Sequence, residues 1–141
     1  MTNEIIRIGQ IEIKFLLEGK DTNEEFAMFE FTVPVGAKVP IPHSHETYDE
    51  TAYGLEGIIT FTVNGKTIEV GKGETLFIPR GAAHGFNNLK QQDAKALSIL
   101  SPANIGPDFF KEVSTMVNAG GPPDMEKLKA LYDRWGLKPA D

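Results

Sequence analysis

The chain has 141 residues, no cysteine and a formal net charge of −6 at neutral pH. This length suits one domain that can bury a core without disulfides or a structural metal. The lack of thiols limits any metal site to nitrogen and oxygen ligands, and an acidic chain does not offer the basic surface that nucleic-acid binding requires.

The sequence also lacks the features of a membrane or secreted protein. No apolar run approaches the length that spans a bilayer. The opening sequence MTNEIIRIGQ does not have the basic-then-apolar layout of a signal peptide. We therefore expect a cytoplasmic protein with no membrane contact, whose partner is a small-molecule substrate or ligand.

Short β-strands are predicted from the start of the chain. Residues 4–17 alternate in polarity and are interrupted near Gly9, which predicts one or two strands, and residues 26–33 predict the next. Pro40 and Pro42 then exclude a helix and favour an extended segment that is poorly paired.

The middle of the chain continues in the same way. Asn64-Gly65 is the strongest hairpin signal, because both positions tolerate the positive φ of a type I′ turn. Further strands are predicted over residues 50–55, 58–63, 66–70, 75–78 and 94–100. Short strands separated by Gly and Pro turns indicate an all-β sandwich or barrel over residues 1–102.

A different periodicity follows Pro102. Two sets of apolar residues recur at helical spacing, namely Phe109, Phe110, Val113, Met116 and Val117, then Met125, Leu128, Leu131, Tyr132 and Trp135. Asp124 is the expected N-cap of the second helix, with Gly136 and Pro139 as its end signals. Residues 103–141 are thus expected to form two amphipathic helices that pack on the outside of the barrel, within the same domain.

The histidines are concentrated in two segments. His43 and His45 are two apart on a predicted strand, so their side chains point to one face, and Glu50 follows closely. The only other histidine is His84. Three neutral imidazoles and a carboxylate suit one divalent transition ion, with Fe, Mn, Ni, Cu, Co and Zn not distinguished.

Less specific interpretations of these residues remain. An isolated His-x-His more often fills or decorates a barrel than binds a metal. Asp49 competes with Glu50 as the carboxylate ligand, although the spacing to Gly57 favours Glu50. The clustering of all the histidines is the observation that favours the metal.

These residues resemble the two motifs of the cupin superfamily. Gly, six residues, His-x-His, four residues, Glu, six residues and Gly match the first motif, with one extra residue before the first histidine. The second motif, Gly, five residues, Pro-x-Gly, two residues, His, three residues and Asn, also matches. The matched positions are Gly36, His43, His45, Glu50 and Gly57, then Gly73, Pro79, Gly81, His84 and Asn88.

The resemblance implies a fold, a ligand set and a class of activity. The fold is a double-stranded β-helix, or jelly roll, in which His43, His45, Glu50 and His84 hold one metal inside the barrel. Cupins of this size resemble quercetinase-like dioxygenases, so the expected reaction is oxygenation of an enol, phenol or diketone-like substrate. The metal would act as Lewis acid and template, and Glu50 would be the catalytic residue that loosens from it and accepts the substrate proton.

Several neighbours of these ligands are candidates for the substrate pocket. Alternation from Glu50 places Ala52 and Gly54 on the same face, where they leave space for a ligand or allow close contact with a neighbouring strand. Phe86 is expected to share the face of His84, as a pocket wall or as plain core. Tyr48 could offer a hydroxyl near the site, but a loop tyrosine more often faces solvent, and we expect this position.

Other functions share the same pattern. A cupin that binds or senses a metal or small ligand without turnover is the main alternative, and isomerases and lyases use the same ligands. Because cupins often pair through additions such as the strands and helices outside the motifs, we also expect a homodimer.

Overall fold

The computed structural model describes residues 4–140, which form two antiparallel β-sheets and two α-helices. A short 3-10 helix, Gly19–Asp21, follows the second strand. The strands are β1 (Ile5–Ile8), β2 (Ile11–Leu17), β3 (Ala27–Val33), β4 (His43–His45), β5 (Asp49–Glu56), β6 (Ile59–Val63), β7 (Lys66–Val70), β8 (Thr75–Ile78), β9 (His84–Asn87), β10 (Ala94–Ser101) and β11 (Leu137–Pro139). The helices are α1 (Pro107–Val117) and α2 (Met125–Arg134).

The strands are divided between a six-stranded sheet and a five-stranded sheet. The larger sheet has the order β1-β2-β3-β10-β5-β8, and the smaller has the order β11-β4-β9-β6-β7. The predicted all-β architecture with two helices is confirmed. The two sheets are not closed into a barrel, because each keeps its own hydrogen-bonded ladder within residues 4–140.

Alternation of side chains explains how the larger sheet buries one face. Every second residue of β3 and β10 is buried, because successive side chains on a strand point to opposite faces. Aromatic rings of the two sheets meet in the core, where Phe31 of β3 packs edge-on against Phe61 of β6 with 6.5 Å between ring centroids. The core therefore lies between the sheets.

Two local sequence signals are confirmed by the backbone. Asn64 and Gly65 have φ values of 48° and 82° and join β6 to β7, as the predicted type I′ turn requires. The Asp124 side chain accepts hydrogen bonds from the backbone N–H groups of Glu126 and Lys127 at 3.1 and 3.2 Å, so it caps α2 as predicted.

The segment after α2 differs from the prediction of a simple helix end. Residues Leu137–Pro139 form β11, which pairs with β4 so that Leu137 lies opposite His45 and Pro139 opposite His43. A strand of three residues is too short to show any periodicity, and its partner is distant in sequence. The strand that carries two histidines is therefore paired on one side by β11.

No helix in the described part of the chain is long and apolar enough to cross a membrane. Both helices are short and amphipathic instead. They bury one face each, through Phe109 and Val113 of α1 and through Leu128, Leu131 and Tyr132 of α2.

Candidate metal centre

Two adjacent strands bring the histidines together. His43 of β4 lies opposite His84 of β9, and His45 shares its face because it is two residues further along β4. One ligand nitrogen from each of the three rings lies within 4.8 Å of the others. Atoms bound to one ion at about 2.1 Å are at most about 4.2 Å apart, so only small adjustments separate these nitrogens from a coordination site.

Glu50 reaches the same point from the opposite sheet. Its Oε1 atom lies 3.8 Å from His45 Nδ1 and 3.6 Å from His84 Nε2. Its Oε2 atom accepts a hydrogen bond of 2.9 Å from the buried Ser98 hydroxyl of β10. The structure therefore places a carboxylate beside two of the three imidazoles, between the sheets.

The competing carboxylate, Asp49, is directed elsewhere. Its oxygens accept hydrogen bonds from the backbone N–H of Arg80 at 2.8 Å and from the Arg80 guanidinium at 3.2 Å. These bonds lower the pKa of Asp49 and hold its carboxylate beside Arg80. Of the two neighbouring acids, only Glu50 lies among the histidines.

Backbone carbonyls orient two of the rings. His43 Nδ1 donates to the Ile41 carbonyl at 3.0 Å, and His84 Nδ1 donates to the Ala82 carbonyl at 2.9 Å. A carbonyl can only accept, so in each neutral ring the lone pair remains on Nε2. This arrangement is the usual one for a histidine that binds a metal.

The electrostatics favour the protonation states that a metal requires. Burial, followed by the positive charge of neighbouring imidazoles, lowers the pKa of His43 to about 3. Burial also lowers the pKa of His45 to about 4, although Glu50 opposes the shift. Both rings are therefore neutral near pH 7, as metal ligation needs.

The attraction between His84 and Glu50 shifts the pKa values of both residues towards their charged forms. Burial alone would lower the pKa of His84, but its hydrogen bond and attraction to Glu50 raise it. For Glu50, burial raises the pKa, and the bonds and charges of His84, His45 and Ser98 outweigh it and lower the pKa to about 2. Glu50 is thus an anion with an oxygen directed at the histidines, a fit for a divalent cation.

The three imidazoles lie close enough together to hold one metal ion, and the Glu50 carboxylate lies beside two of them. Three imidazole nitrogens and one carboxylate oxygen are donors that Fe, Mn, Ni, Cu, Co and Zn all accept, so the donor set does not select among them. Four protein ligands on an ion that accepts five or six leave positions open for a small molecule.

A small apolar cavity adjoins the ligands. Its volume is about 70 Å³, and its lining includes residues of both sheets, among them Ile13, Phe29, Phe31, Phe86 and Leu100. The segment after β10 contributes Ile105, Phe109, Val113, Tyr132 and Leu137. The helices were expected on the outside of the barrel, and the structure shows that their apolar faces also line this cavity.

The charged part of the lining is confined to the ligands. Among the described residues that line the cavity, Glu50 is the only carboxylate, and none is a lysine or an arginine. The cavity is therefore an apolar compartment with one polar end.

The three predicted pocket residues have different positions. Phe86 lines the cavity, whereas Ala52 and Gly54 are not part of the lining. Ala52 is fully buried beside Ser98 and Leu76 on the flanking strands. Gly54 does not make space for a ligand. It allows close contact with the backbone of Gly71, because a Cβ at position 54 would lie 1.9 Å from the Gly71 carbonyl oxygen.

Tyr48 was expected to face solvent, and this expectation is wrong. Its side chain is 1% exposed, lines the cavity and stacks on His45 with 4.3 Å between ring centroids. Burial raises the pKa of Tyr48 further above its ordinary value, so the phenol is neutral. No periodicity could have indicated this, because Tyr48 lies in the irregular link between β4 and β5.

Asn88 stabilises the chain after β9 through its side-chain amide. Its amide donates to the Val33 carbonyl at 2.9 Å and to the Gln92 carbonyl at 2.7 Å. Its side-chain oxygen accepts a hydrogen bond from the Lys90 backbone at 2.9 Å. This asparagine of the second motif is therefore structural.

Comparison with known proteins identifies the family. The Cupin_2 family model, described as a cupin domain, matches residues 29–100. Quercetin 2,3-dioxygenase of Bacillus subtilis is 30% identical over 90 residues, which is 64% of this chain and 26% of that protein. The oxalate-binding protein of Thermotoga maritima is 28% identical over 93 residues, which is 65% of this chain and 76% of that protein.

Solved structures give the same result. The crystal structure of a predicted oxalate decarboxylase from Thermotoga maritima is 26% identical, with a TM-score of 0.65, and the match covers 72% of this chain and 93% of that one. KdgF from Halomonas sp. shares the fold at 20% identity, with a TM-score of 0.63 and coverage of 74% and 89%. The chain spans only about a quarter of the Bacillus dioxygenase. The matched region contains the three histidines and Glu50, and the chain belongs to the cupin domain family.

Proposed function

We propose that the protein is a metal-dependent enzyme of dioxygenase type that acts on a small enol, phenol or diketone-like substrate. The observation that carries the proposal is the convergence of Glu50 and three imidazoles at the polar end of an apolar cavity. Such a ligand set holds an ion, and the cavity beside it accommodates an organic molecule. Bound there, a divalent ion would supply Lewis acidity and open coordination positions.

Glu50 has the position of a general base once its Oε1 atom loosens from the metal. It is the only carboxylate among the described residues of the lining, and one of its oxygens is directed between His45 and His84. Deprotonation of an enol or phenol produces the electron-rich anion that reacts with oxygen, so a base beside the ligand is required. Ser98 fixes the other carboxylate oxygen at 2.9 Å and orients the base.

The apolar lining has a second role in this chemistry. A compartment built from Phe29, Phe31 and Phe86 excludes water and protects reactive oxygenated species from hydrolysis. Insertion of both atoms of dioxygen into the substrate balances without an external reductant. The lining therefore needs no site for a second redox partner.

The relatives support this choice without deciding it. The Bacillus subtilis relative is a quercetin 2,3-dioxygenase, and the Thermotoga maritima relative is named for oxalate binding. The latter favours a second candidate, a cupin that binds a metal and a small ligand without turnover. Both functions use the same four ligands.

Oxygen uptake separates the candidates. Protein purified without oxygen is reconstituted in turn with Fe, Mn, Ni, Cu, Co and Zn and offered diketones, catechols and flavonols. We expect metal-dependent oxygen uptake that falls at least about 100-fold in Glu50→Gln and persists in Asp49→Asn, the matched carboxylate that pairs with Arg80.

Other outcomes would contradict the proposal. Tight ligand binding without consumption, for every metal, would indicate the non-catalytic cupin. Substrate loss without oxygen uptake would indicate an isomerase or lyase.

A further inference from the structure

A buried hydroxyl in the cavity has no partner in the protein. Within residues 4–140, only two buried side-chain polar atoms lack a hydrogen-bond partner, the hydroxyls of Tyr48 and Thr60. Buried polar groups are nearly always paired, so each exception needs an explanation. Tyr48 lines the cavity, and Thr60, on β6, does not.

Tyr48 is held next to the candidate metal ligands by its contact with His45. The ring is stacked on His45, with an interplanar angle of 18°, and cannot swing away without breaking this contact. Tyr48, Glu50 and Tyr132 line the same cavity as the three histidines, so the Tyr48 ring is part of the wall beside the ligands.

We propose that Tyr48 is a substrate-binding residue, whose hydroxyl donates a hydrogen bond to an oxygen of a small, largely apolar molecule that contacts the metal through a second oxygen. The inference rests on the cavity being the substrate site proposed above, but not on the class of reaction. It explains why a phenol that is 1% exposed is left unpaired in the protein alone.

The cavity also sets the size and charge of the molecule. A volume of about 70 Å³ is far below the roughly 300–1,000 Å³ of sites for drug-sized ligands. With no lysine or arginine in the described lining, a dianion would lack a counter-charge beyond the metal. A compact molecule with two neighbouring oxygens and an apolar body fits best.

Binding to the zinc-loaded protein tests this inference without turnover, because zinc has no redox chemistry. The probes are pentane-2,4-dione and 1,3-diphenylpropane-1,3-dione, which present the same two oxygens on bodies of very different size. Dissociation constants are measured by calorimetry for the unaltered protein, Tyr48→Phe and Thr60→Val. The threonine variant is the matched control, since it removes the other unpaired hydroxyl, which belongs to a residue that does not line the cavity.

We expect the smaller dione to bind and the larger one not to bind. Tyr48→Phe should weaken binding of the smaller dione about 3- to 30-fold, as the loss of one hydrogen bond predicts, whereas Thr60→Val should bind it unchanged. Both variants should melt at or above the temperature of the unaltered protein, because each loses an unpaired buried polar atom. Equal zinc content in all three proteins, measured by mass spectrometry, shows that the metal site is intact.

Three results would overturn the inference. They are equal affinity of Tyr48→Phe and the unaltered protein for the smaller dione, an equal loss in Thr60→Val, and no binding of either dione to the zinc-loaded protein. If dione binding depends on Tyr48 but no metal supports oxygen uptake, the inference holds and the dioxygenase proposal fails.

Discussion

His43 lies directly opposite His84 across the pair of strands β4 and β9, with 4.7 Å between the ring centroids. The two motifs of the sequence therefore meet at one register position. Each ring is oriented by a carbonyl two residues before it, which makes the two sites locally similar. The geometry of the metal centre depends on this pairing.

Removal of one imidazole should abolish tight metal binding. His84→Ala removes a ligand and leaves Glu50 without its closest nitrogen partner, so we expect the dissociation constant for zinc to rise at least about 100-fold. Calorimetry and metal analysis measure the effect. Glu46→Gln is the control, since this acid of the same segment faces outward, 3.8 Å from Lys138. Equal metal content in His84→Ala and the unaltered protein would show that the histidines do not hold the ion.

Ser98 should act on the metal site through Glu50. Ser98→Ala removes the hydrogen bond to Oε2, so we expect metal affinity to fall about 10-fold and the free energy of unfolding to fall by about 1–3 kcal/mol. Ser101→Ala is the control, because the hydroxyl of this exposed serine of the same strand bonds the Glu25 carbonyl and not Glu50. Unchanged metal affinity in Ser98→Ala would mean that the hydrogen bond from Ser98 is not needed to orient Glu50.

Phe109 should limit the size of the ligand. Phe109→Ala and Phe61→Ala each remove a buried ring and should lower the free energy of unfolding by about 3–5 kcal/mol. Of these two rings, Phe109 lines the cavity and Phe61 does not. We therefore expect Phe109→Ala alone to bind 1,3-diphenylpropane-1,3-dione in the zinc-loaded form. Binding of this probe to both variants, or to neither, would contradict the assigned role of α1.

Gly54 should resist substitution for a structural reason. A Cβ at this position would lie 1.9 Å from the Gly71 carbonyl oxygen and 2.6 Å from its carbonyl carbon, and both are backbone atoms that cannot rotate away. We expect Gly54→Ala to lower the free energy of unfolding by about 1–3 kcal/mol or more in denaturant titrations. Gly106→Ala, where no atom lies within 4 Å, should cost only a few tenths to about 1 kcal/mol.

The homodimer expected from the sequence can be tested at the β8 edge of the larger sheet. Phe77 of β8 is 58% exposed, and Tyr53 of the adjacent β5 is 40% exposed, so an apolar edge is available for pairing. We expect small-angle scattering at micromolar concentration to give a dimer mass that Phe77→Lys reduces. Leu89→Lys, at a residue 67% exposed outside the strands, should leave the mass unchanged. A monomer mass for the unaltered protein would exclude the dimer.

Much of the fold was predictable because its signals are local. The type I′ turn needs only the conformational freedom of Asn64 and Gly65, and the cap of α2 needs only Asp124. The grouping of the histidines also followed from the sequence, because their spacing on β4 fixes a common face and His84 is the only other one. Each of these predictions depends on a few neighbouring residues.

The remaining features depend on contacts between distant parts of the chain. Gly54 is small because of the Gly71 backbone, and Tyr48 is buried against His45 in a cavity that residues after β10 also line. The pairing of β11 with β4 joins segments about 90 residues apart. No single stretch of sequence contains this information.

The short strand β11 both lines the cavity and pairs with the strand that carries His43 and His45. Leu137 forms part of the cavity wall, while its backbone is paired with that of His45, a candidate metal ligand. A substitution that reshapes the wall here also shifts the ligand, so pocket shape and ion reactivity are mechanically coupled. Variants selected for a bulkier substrate at this wall should therefore change their metal preference as well.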